Sequence, residues 1–440
     1  MKLPFISFKK TLIFSGDVFI LYLSLAATLL LRYGLADLNK SFLTHLNPFS
    51  VIFIIWIAVF YLFDFYSNKF FKQDFQSSQK FILAILINVG ISIIAFYIFE
   101  PFFKLTPKTN LFIFAITFAA LDYSWRLILS KIFISRGWRR QILTIGDSPA
   151  LISTIEYLKI HPQIGYNIFS LMPNESAEKI KSLIEQNNIE TIIIDNNIKR
   201  ENEIIKFLYQ FLPKHKNIYN LYDFYENIFQ KVPLNEIEKN WFIDQISTER
   251  IIYDIIKKQI DFIMALILLL LFSPLFIIIS LLIKFTSFGP IIFKQERIGK
   301  DNKPFILYKF RTMRTNQNGP LATSQNDPRL TFFGKVLRYS HMDELPQLIN
   351  ILKGDISFIG PRPERTELVK IYKKLPYYEI RHIIKPGLTG WAQLNYKPSA
   401  SPEEAFEKLQ YDIYYIKNRS LFLDILILFK TIKYIFISHQ

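Results

Sequence analysis

The stretch LILLLLFSPLFIIISLLIK, residues 266–284, decides how the chain is placed relative to a membrane. From Phe262 to Ile283 only Ser273, Pro274 and Ser280 are not apolar, and that length alone suits a spanning helix. Pro274 has no N–H and crowds the carbonyl four residues back, so the bond that Leu270 would accept is lost and the helix bends. The Ser273 hydroxyl is placed to satisfy a freed carbonyl in the preceding turn. Each half is about 11 residues, or roughly 16 Å, which reaches the middle of a hydrocarbon core about 30 Å thick. Two half-length helices that meet there can turn back. Arg250, Lys257 and Lys258 precede the segment and Lys284, Lys294, Arg297 and Lys300 follow it, a distribution that suits both ends in the cytoplasm. The competing reading is a kinked helix that spans.

Outward from this segment, the rest of the chain also reads as membrane protein. Half of its 440 residues are hydrophobic, with 43 Phe and 23 Tyr, and its mean hydropathy is positive. Four apolar segments, about 11–31, 49–65, 81–99 and 111–129, are each near the roughly 20 residues that cross hydrocarbon. Lys2, Lys9 and Lys10 precede the first. Lys69, Lys72 and Lys80 lie between the second and third, and Lys131, Arg136, Arg139 and Arg140 follow the fourth. The other two loops carry fewer (Arg32 and Lys40, then Lys104 and Lys108), which places both ends of the bundle in the cytoplasm. The first run is too long for a signal peptide and lacks a small-residue cleavage site, so it reads as a retained helix. Asp17, Asp64 and Asp122 fall in or beside these segments and suit helix-end or inter-helix hydrogen bonding better than a polar pathway. The net charge of +16 sits beside apolar segments and in phosphate-type motifs, which favours anionic lipid and phosphorylated substrate over nucleic acid. With no cysteine, disulfides and thiolate metal sites are excluded.

After the bundle, QILTIGDSPALISTIEYLKIHPQIGYNIFSLMP (141–173) and IETIIIDNN (189–197) alternate strand and helix like a small doubly wound sheet. A dinucleotide fingerprint would need glycine where Ser148 and Leu151 stand, so this Rossmann-like domain reads as structural or regulatory. Residues of about 205–250 read as a connector with helical parts. The expected division is 1–135, a four-helix transmembrane domain; 136–250, the α/β domain and connector; and 251–440, a mainly helical catalytic domain with the re-entrant helix at 259–284.

The chemistry lies in GPIIFKQERIGKDNKPFILYKFRTM (289–313), DPRLTFFGKVLRYSHMDELPQLINILKGDISFIGPRPE (327–364) and RHIIKPGLTGWAQLN (381–395). Arginine suits phosphate because its planar fork donates two parallel hydrogen bonds. An adjacent carboxylate pair, Asp343 and Glu344, within such a positive field can coordinate Mg2+ or supply an oxygen nucleophile toward phosphorus. The same pair is also placed to cap a helix beginning at ELPQLINILK. The KPGLTGW segment reads as a rigid turn. The C-terminal run SLFLDILILFKTIKYIFIS (420–438) is interrupted by Asp424, Lys430 and Lys433, which suits an interfacial helix.

These motifs, in this order from the basic residue before Asp261 through FSP, FKQERIGK, YKFRTM, DPR, LR, DELPQL, LKGDISFIGPRP and KPGLTGWAQ, resemble the bacterial sugar transferase family, the monotopic phosphoglycosyl transferases. The whole chain looks like the long members, in which four transmembrane helices and a Rossmann-like domain precede a monotopic catalytic domain with a re-entrant membrane hairpin. The resemblance implies transfer of a hexose 1-phosphate from a UDP-sugar to undecaprenyl phosphate, starting exopolysaccharide, capsule or O-antigen synthesis at the cytoplasmic membrane. It assigns Asp343 as nucleophile and Glu344 to Mg2+. Arg338 and Arg362 match family arginines that bind phosphate or nucleotide groups. Lys309, Arg311, Arg297 and Arg381 are assigned phosphate neutralisation, and Ser273 and Pro274 the break in the hairpin. UMP would leave a phosphosugar on Asp343, which the lipid phosphate then attacks. The family's Ser-Leu before the DELP motif is His341-Met342 here, and its Lys-Arg at the re-entrant segment is Lys257-Lys258. A homodimer is compatible with the extra domain. The competing functions are a membrane scaffold that has lost catalysis, against which the intact Asp343-Glu344 pair speaks, and an NAD-dependent enzyme, which lacks its glycines.

Overall fold

The structure, a computed structural model, describes residues 4–66, 75–103, 108–135, 139–195, 198, 217–246, 250–286, 288–314, 329–397 and 401–437. Lys2, Lys69, Lys72, Lys104, Arg136, residues 205–216 and 247–249 of the connector, and the first two residues of the DPR motif lie outside them. The chain forms two compact units, Met1–Phe229 and Gln230–Gln440.

Among the described residues of the first unit, four helices are long and apolar enough to cross a membrane, as befits a membrane-anchored protein. They are α1 (Pro4–Tyr33), α2 (Leu38–Leu62), α3 (Phe75–Ile98) and α4 (Lys108–Ile134). Their ends overrun the apolar segments because backbone hydrogen bonding, unlike hydropathy, continues into the polar flanks. α2 starts well before residue 49 and runs through Pro48. Arg126 on α4 ties the bundle internally, bonding Asp122 on its own helix at 2.7 Å and Asp17 of α1 at 2.5 Å. Two of the three aspartates noted in the sequence are thus inter-helix and intra-helix partners of one guanidinium. Lys9, counted as a flanking charge, is buried and donates to the carbonyls of Gln163 and Ile164.

The α/β part is a parallel sheet in the order β2-β1-β3-β4, built from β1 (Arg140–Ile145), β2 (Tyr166–Leu171), β3 (Thr191–Ile194) and β4 (Asn217–Asn220). Side chains alternate across a strand, so Ile142 and Ile193 pack on one face with α5 (Pro149–Ile160). Leu143, Ile145 and Ile192 pack on the other with α6 (Ala177–Gln186). The turn after β1 is closed by Asp195, whose carboxylate accepts the Ser148 N–H at 2.9 Å. A Cβ on Gly146, at φ 144°, would come within 2.3 Å of Asp195. A side-chain carboxylate therefore stands where a phosphate would approach the α5 N-terminus.

The second unit begins with residues that sequence placed in the connector. Val232 N–H bonds Gln410 O, Tyr377 donates to Ile237 O, and Trp391 Nε1 donates to Gln230 O. Next come α7 (Ile251–Leu271) and α8 (Ser273–Thr286), bent by 61° at the break between them. Ser273 Oγ donates to Leu270 O at 2.7 Å, the carbonyl that Pro274 leaves without its amide partner. Ala265 on α7 joins a core with Leu307, Leu348, Ile356, Trp391 and Ile427, while Ile279 and Ile283 of α8 pack on Phe310 and Leu337. The outer faces leave Ile263, Ile267, Leu270, Ile277 and Ile278 exposed, an apolar surface that water does not favour. The C-terminal helix α9 (Leu421–Ile437) packs into the same core. Asp424, one of the charges that interrupts its sequence, is buried. It accepts from Lys257 Nζ, Tyr253 OH and Tyr415 OH at 2.7, 2.8 and 2.8 Å, so it pins α9 to α7.

Candidate active site

Two antiparallel strands, β5 (Ile292–Ile298) and β6 (Pro304–Phe310), pair Phe293 with Lys309, which sets Lys309 beside the carboxylate pair. The helix Phe332–Tyr339 ends there, and His341 takes a left-handed conformation at φ 56°, a turn that a side chain adopts only at a cost. A 3-10 turn, Met342–Glu344, follows, and the next helix, Gln347–Lys353, starts at Pro346 with no side-chain cap. The expected capping of that helix by Asp343 or Glu344 is therefore absent. Pro346 already has helical backbone angles and no N–H to satisfy, which leaves both carboxylates to other partners.

Those partners differ. Asp343 is only 8% exposed; burial pushes its carboxyl above the ordinary aspartate value, against the opposing charges of Lys309 and Arg338. Burial would raise Glu344 too, but Lys309 and Arg362 outweigh it and hold the carboxyl down at about 2. Glu344 Oε1 accepts from Lys309 Nζ at 2.5 Å. Adjacent carboxyls with opposite displacements are suited to different tasks.

Glu344 opens onto a cleft of about 1010 Å3. Its lining combines His341, Arg297, Arg362 and Arg365 with Leu268, Phe272, Leu348, Leu428 and Ile432. Of the expected phosphate ligands, Arg362 lies in the cleft, while Arg338 acts on Asp343 by charge and donates Nε to Thr312 Oγ1 at 3.0 Å. Arg297 also lines the cleft, whereas Arg381 does not. Arg297 donates to Pro363 O and Arg381 to Arg362 O, each at 2.9 Å, so these two buried guanidiniums grip the backbone of the Pro-Arg-Pro-Glu loop from separate elements. Arg381, 4% exposed, also pairs with Asp412 at 3.1 Å and bonds Tyr378 OH at 2.8 Å. Arg311 is buried, its N–H on Ile291 O, and does not line the cleft.

The glycines of GPRP and KPGLTGW bring two strands together rather than reaching for a ligand. Ser357–Ile359 runs parallel to Gly387–Thr389, and a Cβ on Gly387 would come 2.0 Å from Gly360 N. Sequence reading missed Arg365, the Lys408–Glu364 ion pair at 2.9 Å and the α9 wall. The spacing of Leu428 and Ile432, four apart on one helix face, was the available signal for that wall.

Residues 252–438 match the family described as bacterial sugar transferase. The chain is 41% identical over 231 residues to the UDP-N-acetylgalactosamine-undecaprenyl-phosphate N-acetylgalactosaminephosphotransferase of Aeromonas hydrophila, covering 52% of this chain and 54% of that relative. The chain thus spans about half the length of that protein. It is 31% identical over 327 residues to the UDP-glucose:undecaprenyl-phosphate glucose-1-phosphate transferase of Escherichia coli (strain K12), covering 69% and 70% of the two chains. With the protein of the same description from Klebsiella pneumoniae it shares 29% identity over 456 residues, covering 90% and 96%.

Proposed function

Because this chain belongs to the bacterial sugar transferase family, we propose that it transfers a hexose 1-phosphate from a UDP-sugar to undecaprenyl phosphate and releases UMP. The observation that carries this reading is the Asp343-Glu344 pair, one buried and one held ionised by Lys309 and Arg362, beside a cleft lined by both arginines and apolar side chains. Such a lining suits a diphosphate and an isoprenoid together.

In the proposed cycle an Asp343 oxygen attacks the β-phosphorus of the donor, the bond from that phosphorus to the bridging oxygen breaks, and UMP departs with the electron pair. An oxygen of the lipid phosphate then attacks the same phosphorus and returns Asp343 to its carboxylate. Partial desolvation of Asp343 strips water from the nucleophile, and Arg362 and Arg338 supply positive charge for the phosphates. Two adjacent carboxylates fit Mg2+, which takes one or two protein carboxylates and completes its shell with phosphate oxygens and water. Glu344, ionised, and Asp343 would hold it; the ion would offset charge on the phosphates. The direct test uses UDP-sugar labelled with 32P at the β-position and no acceptor. About one label per chain, with equimolar UMP, is expected, and adding undecaprenyl phosphate discharges it; UMP formed only when the acceptor is present would rule out the covalent step. A panel of UDP-glucose, UDP-galactose and UDP-N-acetylgalactosamine identifies the sugar.

The UDP-sugar is made in the cytoplasm, so the cleft belongs on that side of the inner membrane, and the α7–α8 pair is read as a re-entrant wedge. If both limbs incline equally to the membrane plane, a 61° bend puts the Ser273 apex roughly 10 Å deep, within one leaflet of a core about 30 Å thick. The absence of native cysteine makes the topology simple to test. Lys258→Cys and Lys294→Cys, both at exposed positions, are expected to react with an impermeant maleimide from the same, cytoplasmic face. Labelling from opposite faces would convert the wedge into a broken span. The α/β module, on this reading, is Rossmann-like in form and has no dinucleotide role.

A further inference from the structure

Behind the wall formed by Ser357–Ile359 and Gln347–Lys353 lies a second cleft, of about 500 Å3. The two clefts share backbone but use opposite side chains: Phe358 and Leu348 face the active-site cleft, whereas Ser357, Ile359 and Ile351 face this one, as strand and helix periodicity require. Its floor is apolar, and its rim carries Lys258 from α7, Lys300 from the β5–β6 turn, Lys353 from the end of its helix, and Lys385.

The carboxylates nearby accept hydrogen bonds from other groups, Asp355 from Asn350 Nδ2 at 3.0 Å among them, and Asp261 and Asp355 offset the lysine charge only in part. Asp261 accepts the Phe358 N–H at 3.4 Å, and Asp254 accepts the Arg250 N–H at 3.2 Å. Lys257 is spent on Asp424 and Lys353 donates to Tyr308 OH at 2.9 Å. Among the described residues no salt bridge engages Lys258, Lys300 or Lys385. Burial, and then Lys258 and Lys300 against the opposing charges of Asp261 and Asp355, hold the Lys385 ammonium below its usual value. Gly354, at φ 81°, leaves the room in which Lys385 Nζ stands; a Cβ there would lie 3.2 Å from it. Lys353 and Lys385 are placed to complement the C-terminus of their short helix, but Lys258 and Lys300 come from other elements and have no such task. Like charges converging on an apolar-floored cleft are unfavourable alone, and a bound anion relieves them.

We infer that this second cleft binds a phosphate group, separate from the phosphates that react at Asp343. The first turns of α7 present Ile255, Ile256 and Ile260 to the outside, so an anionic glycerophospholipid whose phosphate meets the lysines and whose chains follow α7 is one source; a soluble phosphate is the other. The lipid source rests on the membrane reading of α7, whereas the phosphate site does not.

The test uses the full chain in phosphatidylcholine nanodiscs and compares spin-labelled phosphatidylglycerol with spin-labelled phosphatidylcholine at the protein surface. The cleft variant is Lys258→Gln/Lys300→Gln/Lys385→Gln. The charge-matched control is Lys239→Gln/Lys335→Gln/Lys370→Gln, at exposed positions outside the cleft. The phosphatidylglycerol preference is expected to fall about fivefold or more in the cleft variant and to persist in the control. Titration with inorganic phosphate separates the sources: displacement of the lipid label from wild type identifies phosphate itself as sufficient, and retention identifies the glycerolipid. If wild type shows no lipid preference, calorimetric phosphate binding that the cleft variant loses still supports the site through its soluble source. Equal lipid preference in the two triple variants, or no lipid preference and no phosphate binding in wild type, overturns the site. None of these readouts depends on turnover.

Discussion

UMP release by Asp343→Ala is expected to fall by about a thousandfold or more, the scale on which removal of a covalent nucleophile acts. Under the proposed mechanism the loss appears in kcat, with donor KM changed little, because the phosphates are held by Arg362 and its neighbours rather than by Asp343. The fold should not suffer. Burial raises the Asp343 carboxyl above its ordinary value, so its ionised form at neutral pH is less stable in the folded chain than in the unfolded one. Asp343→Asn, which removes that charge, is accordingly expected to melt at the same temperature as wild type or higher while remaining inactive. The same sign governs pH. An acid with a raised pKa protonates sooner as pH falls, so turnover should decline at a pH above the usual aspartate range while Glu344, held at about 2, stays charged. An Asp343→Ala enzyme retaining a tenth of wild-type turnover would remove the nucleophile assignment, and with it the ping-pong cycle.

Arg381→Met should be the most damaging change away from the carboxylate pair. Its guanidinium is enclosed by Asp412, Tyr378 and Glu364, and it donates to the Arg362 carbonyl. Removing it strands a buried Asp412 and loosens the loop that carries Arg362, at a cost of about 3–5 kcal/mol, which for a unit of this size lowers the melting temperature by roughly 10 °C. Arg381→Lys keeps a positive charge but loses the planar fork that reaches Asp412 and the loop together, so it should recover only part of the loss. The Arg381→Met/Asp412→Leu double variant distinguishes a charge network from simple volume. If the penalty is an unpaired buried carboxylate, the double variant is more stable than Arg381→Met alone; additive losses would show that the network contributes nothing beyond packing.

Much of this molecule was legible before its structure. The Ser273-Pro274 break was read correctly down to the serine hydroxyl bonding Leu270, because both effects are local: proline deletes one identifiable hydrogen bond, and serine reaches the adjacent turn. The four apolar helices were visible for the same reason, since hydrocarbon thickness imposes a length that a linear scan detects. The alternation of strands with helices after residue 140 foretold a mixed helix and sheet region, and the turn whose glycines are replaced by Ser148 and Leu151 is now seen to be filled by Asp195.

The arginines were where linear reading failed. Arg297, Arg362 and Arg381 belong to similarly basic motifs, yet Arg362 and Arg297 line the cleft while Arg381 does not, and Arg297 and Arg381 bond the backbone of the loop that carries Arg362. Asp424 likewise looked like an interfacial charge and is a buried anchor for Lys257, 167 residues away. By itself, then, the sequence determined the membrane helices, the helix break, the α/β alternation and the identity of the carboxylate pair, all of which depend on residue type and short-range spacing. Only the tertiary structure decided which cations face the cleft, which carboxyl is buried and which is held ionised, and where the lysine-rimmed second cleft lies. Those properties depend on burial and on charges brought together from distant positions, and a side chain's solvation and electrostatic surroundings are set by its neighbours in space.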